Sequence, residues 1–283
     1  MKRIAVTVQQ QNYVTKLKGY RDNMKLIFVT FLLSCFTYLP AQKITGDSLE
    51  LKTANNHPMK YFLSLPANWT PEKRWPIVVI IESADKEYKE NALRFVRARK
   101  EMPFILVAPF NVNNSRDGRR DPKIFPYSED TWDIIDKTGD CKFNLDGITQ
   151  IVTDVRDHYN GEKKYFITGF EAGAHTVWQF LFQHPERLKA AAPVAGNYNR
   201  NSCMTGSVFS TDSSLINLPV RGFSGDADTL YGSKGIVYSQ WKNAIQAATS
   251  HGYKNISETI IPRKGHVPLP TEVLNWFFTI WKN

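Results

Sequence analysis

The heptapeptide Gly169-Phe170-Glu171-Ala172-Gly173-Ala174-His175 constrains this chain more than any other stretch. It follows the apolar run Tyr165-Phe166-Ile167-Thr168 and leads into a helical pattern that lasts to about His184. The spacing Gly169-x-Glu171-x-Gly173 matches the Gly-x-Ser-x-Gly turn, in which a strand reverses sharply into a helix and small flanking residues leave the central side chain standing above the sheet. Here that central residue is Glu171, so the place usually given to a hydroxyl holds a carboxylate.

The rest of the chain supplies strands and helices around this turn. Residues 44–65 alternate and turn as two antiparallel strands would, with Asn55-Asn56-His57-Pro58 between them. Pro76 to Ile81 and Phe104 to Pro109 are unbroken apolar runs, the pattern of strands covered on both faces. A helical composition over Asp85–Glu101 separates them, and Ile148, Ile151, Val152, Val155 and Tyr159 form one helical stripe. Beyond the turn come strands near 190–195, 220–224 and 256–261. One helix carries Val237, Trp241, Ile245 and Ala248, and a last one carries Val273, Leu274, Phe277 and Trp281. Such alternation predicts a mostly parallel sheet wrapped on both sides, with ligands received at the C-terminal ends of the strands. Residues 110–143 lack periodicity and read as a long lid-like loop. Phe125, Tyr127 and Trp132 either order it near a site or pin it to the body.

The N-terminus reads as a targeting signal. Lys25 precedes the apolar run Leu26 to Leu33, and a small-residue site follows at Ala41. The expected organisation is an upstream extension over 1–23, a signal peptide over 24–41 starting at Met24, and one domain over 42–283. Leu33-Ser34-Cys35 offers a lipoprotein box as the second reading. The whole chain has 36 basic and 27 acidic residues; residues 1–41 hold six and one of these, leaving 30 against 26, or +4. No basic stripe with interleaved aromatics remains, which excludes a nucleic-acid binder. A secreted or periplasmic location follows, with no stable membrane insertion after cleavage of the signal. In that oxidising setting Cys141 and Cys203 are candidates for a disulfide or for two buried thiols.

The chain resembles the α/β-hydrolase superfamily, and within it secreted esterases of the feruloyl esterase and polyhydroxybutyrate depolymerase type. The resemblance rests on Tyr61-Phe62-Leu63-Ser64-Leu65-Pro66, Trp75-Pro76-Ile77-Val78-Val79, the 169–175 turn, Ala190 to Gly196, Gly225-Asp226-Ala227-Asp228 and Gly265-His266, in family order across the mature chain. It implies an α/β-hydrolase fold and an acyl ligand, small or polymer-linked. It also implies a catalytic triad in the order nucleophile, acid, histidine, matched here by Glu171, Asp228 (Asp226 being the alternative) and His266. Two positions depart from the pattern: Glu171 replaces the serine, and Glu82-Ser83 replaces the His-Gly that helps build the oxyanion hole, whose other donor is the amide of Ala172.

A carboxylate is a poor nucleophile for ordinary esters, and its charge opposes a neighbouring oxyanion. Loss of serine chemistry and survival as a binding or accessory protein is therefore the leading expectation. A working ester hydrolase with a nonstandard Glu171/Asp228/His266 site is the second. Three arrangements of Glu171 stay open: a hydrogen bond to His266 or local amides, a covalent nucleophile toward suitable carbons, or an oxygen-rich pocket with Glu82, Asp228 and His266 for a divalent metal or cationic group. Nothing in the chain has metal-ligand spacing, and no cofactor is expected.

Overall fold

The computed structural model describes residues 48–112, 118–198, 202–204, 209–230, 235 and 238–283. The leader segment with Met24, Cys35 and Ala41, and also Ile44 and Val237, lie outside the described residues.

Eight strands form one sheet in the order β1-β2-β4-β3-β5-β6-β7-β8. β1 (Glu50–Thr53) and β2 (Lys60–Ser64) pair antiparallel, and β2 lies antiparallel on β4 (Ile105–Pro109). From β4 onward the sheet is parallel: β3 (Ile77–Ile81), β5 (Tyr165–Phe170), β6 (Leu188–Val194), β7 (Val220–Gly225) and β8 (Ile256–Ile261). The apolar runs become these central strands because every residue of β3, β4 and β5 is buried; Thr168 is tolerated in β5 by donating its hydroxyl to the Ala192 carbonyl at 2.8 Å.

Helices cover both faces: α1 (Tyr88–Arg99), α2 (Glu129–Thr138), α3 (Asp140–Tyr159), α4 (Gly173–Gln183), α5 (Tyr238–Ser250) and α6 (Pro270–Lys282). The strand period of two sorts the core into two layers. Ile77, Val79 and Ile81 face a cluster shared with Ile151, Val155, Val177 and Trp241 of α3, α4 and α5, whereas Val78 and Ile80 face Phe95 of α1 and Val273 and Phe277 of α6.

Residues 118–143 differ from the aperiodic loop expected. Ser128 caps α2, its hydroxyl accepting from the Thr131 amide at 3.3 Å, and Gly139, at φ +80°, turns the chain directly into α3. Phe125 and Trp132 are each 1% exposed and meet at 5.4 Å between centroids, while the Tyr127 hydroxyl donates to the Phe110 carbonyl at 2.7 Å. Of the two roles open to these aromatics, the structure has them pinned to the body. α2 escapes the sequence pattern because it is dominated by acidic residues. Those residues face Arg119 and Arg120: Arg119 binds Asp136 at 2.6 Å and Asp140 at 3.0 Å, and its guanidinium lies 5.3 Å from the Trp132 ring.

Cys141, in the first turn of α3, is disulfide-bonded to Cys203 in a single 3-10 turn (Ser202–Met204), with Cα atoms 5.2 Å apart. The bond ties the start of α3 to the segment after β6, over the C-terminal edge of the sheet. Closing a loop across a separation of 62 residues restricts the unfolded chain by about 4 kcal/mol in the loop-entropy account. Cys203→Ser, or full reduction, is expected to lower Tm by roughly 10 °C; thermal unfolding with and without reductant checks this.

Candidate functional site

The site begins with a close backbone approach. A Cβ on Gly169 would lie 2.5 Å from the Gly173 carbonyl oxygen, and one on Gly173 would lie 2.7 Å from the carbonyl oxygens of Ile81 and Glu82. No side chain fits at either position, so β5 can turn into α4 only through glycines, and α4 starts directly against the end of β3. The residue between them is forced to φ +49°, and it is Glu171. A left-handed backbone costs a non-glycine residue about 1–2 kcal/mol. It is held by the Glu171 amide donating to the Val194 carbonyl at 3.0 Å and by the Ala174 amide donating back to the Glu171 carbonyl at 3.1 Å.

The Glu171 carboxylate turns toward the end of β3. Oε2 accepts from the backbone amide of Ala84 at 3.2 Å, and Oε1 accepts from the Asn197 side-chain amide at 3.0 Å. In a turn of this type, one oxyanion-hole donor is the amide after the central residue and the other is an amide of the loop after the preceding central strand. Ala172 and Ala84 hold those two positions. The second of them therefore already carries an oxygen, supplied by the chain itself.

Glu82 points elsewhere. It is 4% exposed, and its Oε1 lies 3.0 Å from Ser83 Oγ, which in turn sits 3.1 Å from Asp85 Oδ2 and accepts from the Asp85 amide. Burial pushes the Glu82 carboxyl above its ordinary range, with Ser83 and Asn91 opposing the shift. A serine hydroxyl has one proton, so it cannot donate to two carboxylates at once. A protonated Glu82 donating to Ser83 Oγ, with Ser83 donating to Asp85, gives each of these two bonds its own proton, while Glu82 Oε2 stays buried with no hydrogen-bond partner among the described residues.

The acid and the histidine meet as the resemblance implies. Asp228 is buried, accepts from the Leu230 amide through Oδ1 at 3.0 Å, and faces His266 Nδ1 through Oδ2 at 2.9 Å. A carboxylate at Nδ1 selects the Nδ1–H tautomer and leaves Nε2 as the basic nitrogen. Asp226, the alternative acid, instead accepts from the Arg263 amide and so joins the loops after β7 and β8. The Ala227 amide donates to the Lys264 carbonyl across the same seam at 2.9 Å, where a Cβ on Gly225 would lie only 2.0 Å from the Lys264 oxygen. Phe170 packs against the His266 ring at 4.6 Å between centroids, tilted by 42°, and a cleft of about 530 Å³ opens beside them, lined by Asp85, Val267, Leu269 and Glu272 among others.

The four-residue metal pocket does not form. Glu82 is turned toward Ser83 and α1, Glu171 toward Ala84 and Asn197, and Asp228 toward His266. Among the described residues no three His, Cys, Asp or Glu side chains come together in a way that could hold a metal ion. Of the hydrogen bonds considered for Glu171, one to a local amide is present. Ala84 and Asn197 escaped the sequence reading. A backbone amide has no sequence signature, whereas Asn197, as a polar residue just past the end of β6, sits where side chains reach a ligand edge. His175 is mostly buried, and that burial lowers its pKa, with Glu171 opposing the shift.

No protein-family model matches the chain, and no curated protein does. Solved structures do match. The carboxylesterase of Bacillus cereus aligns with a TM-score of 0.54 at 14% identity, over 80% of this chain and 96% of that one. Poly(aspartic acid) hydrolase-1 from Sphingomonas sp. KT-1 aligns with a TM-score of 0.54 at 15% identity, over 83% and 98%. A thermostable esterase aligns with a TM-score of 0.52 at 16% identity, over 85% of this chain but 61% of its own length. The chain therefore has the α/β-hydrolase fold, with esterases and other hydrolases as its structural neighbours.

Two substitutions test the site. Because Glu82 has a raised folded pKa, it stays protonated where the unfolded chain has ionised, so stability falls as pH rises from its ordinary value toward the folded one. Glu82→Gln keeps a donor to Ser83 without that cost, so its denaturation midpoint should gain on the wild type as pH goes from 5 to 8. Gly225→Ala must part the two loops, destabilising the fold by about 2 kcal/mol or more. It should also abolish the low-field proton resonance of the His266–Asp228 bond in NMR spectra.

Proposed function

We propose that this chain is an exported α/β-hydrolase-fold protein that has lost serine-hydrolase chemistry and acts by binding an acyl-bearing ligand, small or polymer-linked. The observation that carries this reading is the bond from the Ala84 amide to Glu171 Oε2. An oxyanion stabiliser works through donors aimed at the place where negative charge develops. A resident carboxylate at that place competes with the developing charge and repels it. The left-handed turn fixes the backbone of the glutamate, and the Ala84 and Asn197 amides hold its carboxylate there. Bonds on both carboxylate oxygens also count against covalent attack by Glu171, which would need one oxygen freed and aimed at a carbon. Export is supported by the apolar leader and by a disulfide of the kind that persists in oxidising compartments.

A second reading, an ester hydrolase working through Glu171, Asp228 and His266, draws on the intact 2.9 Å acid–histidine bond beside an open cleft. One assay decides between them: hydrolysis of short p-nitrophenyl esters by the wild type, His266→Ala, Glu171→Ser and the double variant. The expected result is no His266-dependent turnover in the wild type. Glu171→Ser should gain at least about 100-fold, because the serine meets a ready base and the Ala84 amide is released, and should lose that gain when His266 is also removed. Wild-type turnover that disappears in His266→Ala would overturn the proposal.

A further inference from the structure

At the opposite edge of the sheet, away from the 169–175 turn, a second cleft of about 440 Å³ is lined by Thr149, Thr153 and Arg156 of α3, by Lys163 and Lys164 ahead of β5, and by Tyr165, Glu186 and Arg187. Four of these side chains are cationic and one is anionic. Nothing at the C-terminal edge accounts for this concentration, because the two edges are separated by the length of the strands.

The cleft has a built floor. Tyr165 is 2% exposed, its ring packs edge-on to Phe180 at 6.2 Å, and among the described residues its buried hydroxyl has no hydrogen-bond partner. Leaving such a group unmade costs about 1–3 kcal/mol, so native structures rarely tolerate one without a reason. Burial raises the Tyr165 pKa, which keeps the hydroxyl a proton donor throughout the accessible range. Above it, Arg187 is held in position by donating Nη1 to Thr149 Oγ1 at 2.7 Å, while its Nε lies 3.4 Å from Glu186. Arg156 lies 3.2 Å from Asp157 at the rim, and Lys163 and Lys164 are exposed. Val152 contributes an apolar wall.

We propose that this cleft is a binding site for a tetrahedral oxyanion, the phosphate or sulfate ester group of a small molecule, with the Tyr165 hydroxyl and Arg187 as its inner donors and Lys163, Lys164 and Arg156 supplying charge around it. A phosphate or sulfate group offers three free oxygens, matching an inner hydroxyl, a planar guanidinium and flexible ammonium groups better than a planar carboxylate does. The volume exceeds that of the bare ion and leaves room for the remainder of an ester along Val152 and the threonines. The proposal involves neither Glu171 nor His266 and stands or falls separately from the reading of the 169–175 turn.

The test is titration of the purified protein with sodium phosphate and, separately, sodium sulfate, against sodium chloride at matched ionic strength, followed by calorimetry and by amide shifts at residues 163–165 and 187. Saturable binding with shifts confined to the cleft is expected. Arg187→Gln should weaken it at least tenfold. Tyr165→Phe should weaken it severalfold while leaving Tm of the anion-free protein equal to or above the wild type, because an unpartnered buried hydroxyl is removed. A purely structural tyrosine would not alter anion affinity. Tighter phosphate binding at pH 8 than at pH 6, with sulfate unchanged, points to a phosphate dianion; equal affinities point to a site that also accepts sulfate esters. Should Tyr165→Phe fail to fold, Arg187→Gln and Lys163→Gln carry the test. Shifts no larger than those in chloride, or binding unchanged in Arg187→Gln and Lys163→Gln, would overturn the proposal.

Discussion

The contact on which the rest of this site depends is backbone against backbone. The start of α4 lies so close to the ends of β5 and β3 that a methyl group fits at neither Gly169 nor Gly173. That approach fixes the left-handed conformation of Glu171 and aims its side chain at the loop after β3. Whatever residue occupies position 171 is presented in this way, because the geometry belongs to the turn and not to the glutamate. A serine would project its hydroxyl over the sheet edge. The longer glutamate reaches past that point to the Ala84 amide, so its chain length matters to where the carboxylate lands as much as its charge does.

A second seam places the histidine. Gly225 lies against the Lys264 carbonyl, Asp226 holds the Arg263 amide, and Ala227 holds Lys264, so the loops after β7 and β8 travel as one piece and deliver Asp228 to His266. The two seams share no residue. Position 171 can therefore hold a different side chain while the acid–histidine pair keeps its geometry.

The fold was largely legible because buried parallel strands need continuous apolar runs and the helices between them need stripes; Ile77–Ile81 and the Ile148 to Tyr159 stripe say as much. The acid–histidine pair was legible through chain order. α2 was not, since its surface acidic residues hide the stripe and its partners Arg119 and Arg120 lie in a separate stretch of chain. The fate of the carboxylates was also hidden. Proximity at a sheet edge follows from strand order, but whether Glu82 and Glu171 converge depends on rotamers and on nearby donors. Ser83 and Asn91 draw one of them away, and the Ala84 amide with Asn197 takes the other.

The disulfide has a topological consequence. Cys141 and Cys203 bracket α3, β5, the 169–175 turn, α4 and β6, so this whole run is a covalently closed ring threaded through the centre of the sheet. A single cut by a protease anywhere inside that ring opens it without releasing either half. With the disulfide intact, the 169–175 turn and the strand beside it would remain tethered to the rest of the molecule as a nicked but undivided protein.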